Sequence, residues 1–181
     1  VRDLKNSRFP GIKGLDLDLF IEQICYLKKH YHIITMEEVI YSIENQVKIP
    51  KKSVLLTFDD AYSDHYINVF PILDKYKLQG SFYTPSKAVT EHTVLDVNKI
   101  HFILASAQDM SDIISDLKDL LKLYKKDYEL EDFDYYYKKL TCIDNYDSKE
   151  VVFIKRLLQV ELKEELRIKI TDILFEKYVG L

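Results

Sequence analysis

Tryptophan is absent from the 181 residues, and cysteine is confined to two positions. Two cysteines cannot build a disulfide framework; Cys25 and Cys142 both lie in apolar-periodic segments and are expected to be reduced, buried thiols. No block of Lys or Arg stands out and the formal net charge is -4, which argues against a nucleic-acid partner. No apolar run approaches the ~20 residues a membrane span needs. No signal-peptide pattern opens the chain either. It begins at Val1 rather than Met, so a cut or processed N-terminus is expected, and the compartment stays open between the cytoplasm and the cell envelope.

What is present describes a folded protein. Hydrophobic residues make up 47% and charged residues 31%, which excludes a disordered chain. The length suits one buried domain, or one domain with an insertion. Fourteen tyrosines suit a sugar-facing surface or ordinary core packing, and core packing is the expectation.

Periodicity divides the chain near residue 95. Residues 1 to 15 read as a loop. From Asp16, with Asp16 or Asp18 at the cap, Leu19, Phe20, Gln23, Ile24 and Leu27 follow helical spacing. "YHIIT" (31 to 35) is a short strand, and Thr35 followed by Glu38 matches a capping box for the next helix. "SVLLTF" (53 to 58) is continuous and apolar, as in a strand buried on both faces. Pro71 opens a predicted helix over 71 to 77, and "GSFYT" (80 to 84) is a further strand. Strand, helix and strand within about 30 residues form a βαβ unit with adjacent parallel strands. Between 98 and 178 no strand pattern, glycine or proline interrupts a series of helical stripes. One stripe comprises Ile113, Leu117, Leu120, Leu121 and Tyr124. Another comprises Leu166, Ile170, Ile173, Leu174 and Tyr178.

The chemistry is concentrated in "VLLTFDDAYSDHY" (54 to 66), where a buried strand ends in two adjacent carboxylates, Asp59 and Asp60. Sites in α/β sheets and barrels form at the C-terminal ends of strands. Close carboxylates are tolerable when a cation screens them or one takes a proton. One acid would then ligate a divalent metal and the other act as base toward a metal-activated water. A plainer alternative has Asp60 or Ser63 capping a turn and Asp59 solvated.

"LLTFDDAYSDHYINVFPILDKYKLQGSFYTP" resembles the polysaccharide deacetylase family, carbohydrate esterase family four, also known as the NodB homology domain. Thr57, Phe58, Asp59 and Asp60 match its T-F-D-D-G motif, with Ala61 in place of the glycine, and "GSFY" stands where the family has A-T-F-F. The opening "VRDL" resembles the continuation of a segment lying upstream. The resemblance implies an α/β fold: a partial, deformed (β/α)7-type barrel formed by residues 1–95, followed by an all-helical insertion over 96–181. It implies Asp59 as general base, Asp60 as ligand of a divalent metal of the zinc type, and hydrolysis of N-acetyl or O-acetyl groups on a carbohydrate or polysaccharide.

The family's second motif, a pair of histidines four residues apart, has no counterpart among His30, His32, His65, His92 and His101. Its arginine-proline loop and later leucine and histidine motif are also missing. His65 is the one histidine near the acids in sequence and stands as a substitute ligand. The expectation is therefore a deacetylase fragment that is inactive alone. The alternative is a degenerate domain that binds a glycan or protein without turnover. A dehalogenase-type phosphotransferase needs D-x-D rather than adjacent acids. An inverting glycosidase needs carboxylates roughly 6.5–9.5 Å apart, which neighbouring residues rarely supply.

Overall fold

The computed structural model describes residues 1–180 and is a mixed helix and strand structure with small parallel sheets. It divides into two compact units, one from Val1 to Thr93 and one from Val94 onward.

In the first unit, Asp16 caps α1 (Leu17–His30), its carboxylate accepting from the Asp18 amide. Phe20 and Ile24 are the buried face of this helix, whereas Leu19 is 52% exposed. The strand β1 (His32–Ile34) follows. Thr35 and Glu38 form the expected reciprocal capping box at the start of α2 (Met36–Glu44).

The apolar run at 53–58 is not one strand. It splits at Leu56 into β2 (Ser53–Leu55), paired in parallel with β1, and β3 (Thr57–Asp59), paired in parallel with β4 (Ser81–Tyr83). The expected pairing of the run with residues 80–84 therefore holds for its second half, and its first half takes β1 as partner. Leu56 is buried at the break, and its carbonyl accepts the Ser81 amide at 2.9 Å.

The crossover helix also starts earlier than its sequence suggests. A π-helical turn at His65–Val69 leads directly into α3 (Phe70–Tyr76), with Pro71 in the first turn of α3. Pro71 lacks an amide and its ring crowds the carbonyl four residues back. A widened turn before it, closed by the Phe70 amide on the His65 carbonyl, accommodates both. Lys77, at φ +55, ends α3 in the left-handed region. Phe20, Ile24, Leu56, Val69 and Leu73 form the buried core, with Val54, Phe58, Ile72, Tyr76 and Leu78 packed against it. Each fully buried aliphatic side chain contributes about 1.5–3 kcal/mol. Gly80 lies so close to this core that a Cβ there would stand 2.7 Å from Phe58 Cε2 and 2.9 Å from Leu73 Cδ1. The unit closes with the short α4 (Ser86–Thr90).

Among the described residues of the second unit every regular element is helical: α5 (Asp96–Ser106), α6 (Met110–Tyr124), α7 (Phe133–Leu140), α8 (Lys149–Arg156) with a π-helical turn at Leu157–Glu161, and α9 (Glu164–Tyr178). The anticipated stripes supply its core: Ile113, Leu117 and Leu121 from α6, and Leu166, Ile170 and Leu174 from α9, around the buried Phe153 and Ile154. Lys99 on α5 reaches Asp172 on α9 at 2.6 Å. Asp116 on α6 accepts from Lys177 and from the Tyr178 hydroxyl, both at the end of α9.

Two expectations about composition fail. Cys25 is exposed and Cys142 half-buried, so neither is a core thiol. Ile24 takes the inward direction on α1, and the next residue of a helix is turned about 100° away from it. Tyrosine is mostly not core either. Among the described residues Tyr136 is the buried one, while Tyr26, Tyr41, Tyr66 and Tyr83 stand well into solvent. A phenol keeps its hydroxyl hydrated by lying at the surface with part of its ring covered.

Candidate active site

The two acids fall at the C-terminal end of β3. Asp59 is the last residue of the strand and is exposed; Asp60 is half-buried in the turn that follows. The chain reverses there through two consecutive left-handed residues, Asp60 at φ +75 and Ala61 at φ +51. An L-residue with a Cβ resists that conformation, which is why a glycine is the natural occupant of such a turn. The turn breaks the alternation of the strand, so that adjacent carboxylates need not point to opposite faces.

Just after the turn, Asp64 is held by one partner far away in sequence and one nearby. Arg2 donates to Asp64 Oδ2 through Nε at 3.1 Å and through Nη2 at 2.8 Å, with both side chains largely shielded. Asn68 donates to the other Asp64 oxygen at 3.1 Å. The Arg2 backbone is itself tied to α1, its amide donating to Leu15 and its carbonyl accepting from Leu17. The Arg2 guanidinium also lies 5.6 Å from the Tyr62 ring centre. Arg2 and Asp64 escaped the sequence reading because a charge pair 62 residues apart leaves no local pattern.

His65 sits in an aromatic cage. Its ring centre lies 5.6 Å from Phe58, 5.8 Å from Phe82 and 6.0 Å from Tyr62. Its Nδ1 is buried without a hydrogen-bond partner. Burial pushes the imidazole below its ordinary pKa; the Val1 ammonium adds to this, and Asp64, Asp60 and Asp59 pull the other way.

Of the other histidines, none in the first unit forms a group of three with the two acids. His30 ends α1 and packs on Tyr26 at 4.4 Å. His32 opens β1 opposite Ser53, six residues before Asp59, or roughly 20 Å along an extended chain at about 3.3 Å per residue. His92 is exposed after α4, and His101 belongs to α5 in the second unit. Two adjacent carboxylates are oxygen donors of the kind a divalent cation takes. Among the described residues no group of three or more His, Cys, Asp or Glu side chains comes together to complete such a site.

The sequence profile of the polysaccharide deacetylase family matches residues 46–153. The chain belongs to the polysaccharide deacetylase family. The matched segment includes β2, β3, the acid turn, the π-helical turn, α3 and β4, and runs on through the helices to α8. This polysaccharide deacetylase segment is similar to poly-beta-1,6-N-acetyl-D-glucosamine N-deacetylase from Staphylococcus aureus (strain NCTC 8325 / PS 47), 34% identical over 82 residues, which is 45% of this chain and 28% of that protein. It is also similar to the putative polysaccharide deacetylase YxkH of Bacillus subtilis (strain 168), 32% identical over 59 residues, 33% of this chain and 21% of that protein. The matches thus take in less than a third of the length of these relatives. No solved structure matches the chain.

Proposed function

We propose that residues 1–95 form the first part of a deformed β/α barrel that hydrolyses N-acetyl, or alternatively O-acetyl, groups on an N-acetylhexosamine polysaccharide, and that residues 96–181 are a helical insertion in it. The observation that carries this reading is the acid turn: Thr57, Phe58, Asp59 and Asp60 at the end of a parallel strand, followed by a left-handed residue where the family motif has glycine. The staphylococcal relative is named as an N-deacetylase of poly-β-1,6-N-acetyl-D-glucosamine, and that substrate class is the one proposed here.

Asp60, half-buried in the turn after the strand, would hold a divalent cation of the zinc type. Such a cation, when bound, polarises the acetyl carbonyl and acidifies water. Asp59 accepts the proton of the attacking water at its carboxylate, a general-base role that its exposed position at the strand end allows. Arg2, Asp64 and Asn68 are assigned a positioning role, holding the chain that follows the acid turn. A catalytic zinc site takes three protein ligands. The motif supplies one ligand, Asp60, and a base, Asp59, so the 181-residue chain by itself should release little acetate.

Acetate release from an N-acetylglucosamine oligosaccharide, measured with zinc or cobalt, tests the reading. The 181-residue chain is compared with a polypeptide extended past Leu181. In the active form, Asp59→Asn should lower kcat by about 10²–10⁴-fold while metal binding persists. Asp60→Ala should weaken metal binding by calorimetry. Robust turnover by the 181-residue chain would overturn the assignment of ligands. No turnover by any extended form would overturn the deacetylase reading in favour of a glycan-binding module.

A further inference from the structure

The register between β3 and β4 pairs Thr57 with Ser81, Phe58 with Phe82, and Asp59 with Tyr83. Neighbouring parallel strands lie about 4.8 Å apart, and paired residues project to the same face. The middle pair demonstrates it: the Phe58 and Phe82 rings stack at 4.9 Å with 17° between their planes, on the side that also holds His65 and Phe20. The flanking pairs therefore project to the other face. That face carries the Thr57 and Ser81 hydroxyls, the Asp59 carboxylate and the Tyr83 phenol. Thr57 and Asp59 are exposed, and Tyr83 is 48% exposed.

An exposed aromatic ring beside an exposed carboxylate, with hydroxyls one strand step below, is a surface with one apolar wall and a polar floor. A pyranose has the matching shape, with C–H groups on its flat faces and hydroxyls around its rim. Aromatic rings that end in a polar group suit such amphipathic ligands. We infer that Tyr83 is a substrate-contacting residue: its ring forms the wall against which the N-acetylhexosamine unit next to Asp59 rests, and it fixes that sugar relative to the carboxylate. The A-T-F-F strand of the family ends in phenylalanine where Tyr83 stands, so the ring is the shared element and the hydroxyl is an addition of this chain. The inference rests on the deacetylase reading for the identity of the ligand. Its geometry depends only on the strand register.

The test uses the 181-residue chain and an N-acetylglucosamine oligosaccharide, followed by NMR titration. The expected result is a set of shifts centred on Tyr83, Thr57 and Asp59. Tyr83→Ala should raise Kd about tenfold and Tyr83→Phe by no more than about threefold. Tyr83 is a surface side chain, so both variants should keep the wild-type far-ultraviolet circular dichroism. Shifts that avoid Tyr83, no binding at all, or equal affinity in Tyr83→Ala would each overturn the inference. In a polypeptide that releases acetate, Tyr83→Ala should raise KM about tenfold with kcat within a few-fold; acetate release unaltered by the change overturns the inference alone. Oligosaccharide binding at Tyr83 with no acetate release by any form sustains the inference and overturns the deacetylase reading.

Discussion

Replacing Ala61 by glycine should stabilise the first unit, an unusual direction for a mutation in a site loop. Ala61 has φ +51 and follows Asp60 at φ +75. In the left-handed region a Cβ crowds the next carbonyl, at a cost of about 1–2 kcal/mol. Glycine removes that strain but enlarges the unfolded ensemble, which takes back about 0.4–1 kcal/mol. Ala61 is exposed, so its methyl group contributes no core packing. The balance is a gain of about 0.5–1 kcal/mol. With two compact units in the chain, a single melting temperature does not isolate the stability of the first. The gain is better read from amide exchange at Phe58 and Tyr83 in β3 and β4, which should slow by about two- to fivefold if these amides exchange through unfolding of the unit. Ala61→Val should move exchange the opposite way, because a β-branched residue is a true outlier at positive φ. A glycine variant that exchanges faster than wild type, or a valine variant that matches it, would refute the strain argument.

Two further outcomes follow from the same region. Gly80→Ala places a methyl group 2.7 Å from Phe58 Cε2 and 2.9 Å from Leu73 Cδ1, and should destabilise the first unit by about 1–3 kcal/mol, measured by urea denaturation; a neutral effect would mean that Phe58 can give way. For His65, burial holds the folded imidazole below its ordinary pKa, so as pH falls through about 6.5 the unfolded chain takes up the proton first. Stability should therefore decline below that pH until the folded imidazole also titrates. His65→Phe should flatten the stability profile between pH 7 and 5, and an unchanged slope would exclude His65 as its source.

Much of the architecture is legible along the chain because it is set by local rules. Asp16 and the Thr35–Glu38 pair act within one helical turn, and both caps form as their spacing implies. The stripes on α6 and α9 bury Leu117, Leu121, Leu166 and Ile170 because helical periodicity alone places them on one face. Leu19 and Ile173 obey the same periodicity yet stay exposed, since a stripe gives a direction and not the width of the surface that covers it. The lack of a histidine pair four residues apart is legible in the same way, from spacing alone.

The sequence by itself determined where α1 and α2 start, which residues line the helical core, and that two adjacent carboxylates follow an apolar run in the manner of the polysaccharide deacetylases. Each of these depends on residues a few positions apart, where chain connectivity fixes the geometry. Only the tertiary structure decided that the run at 53–58 splits at Leu56 between two partners, that Arg2 braces the acid turn through Asp64, and that Tyr83 lies beside Asp59. Those facts depend on segments 21 to 62 residues apart. At that separation a one-residue change of strand register moves every side chain to the opposite face, and no local preference fixes the register before the packing of Phe20, Leu56, Val69 and Leu73 does.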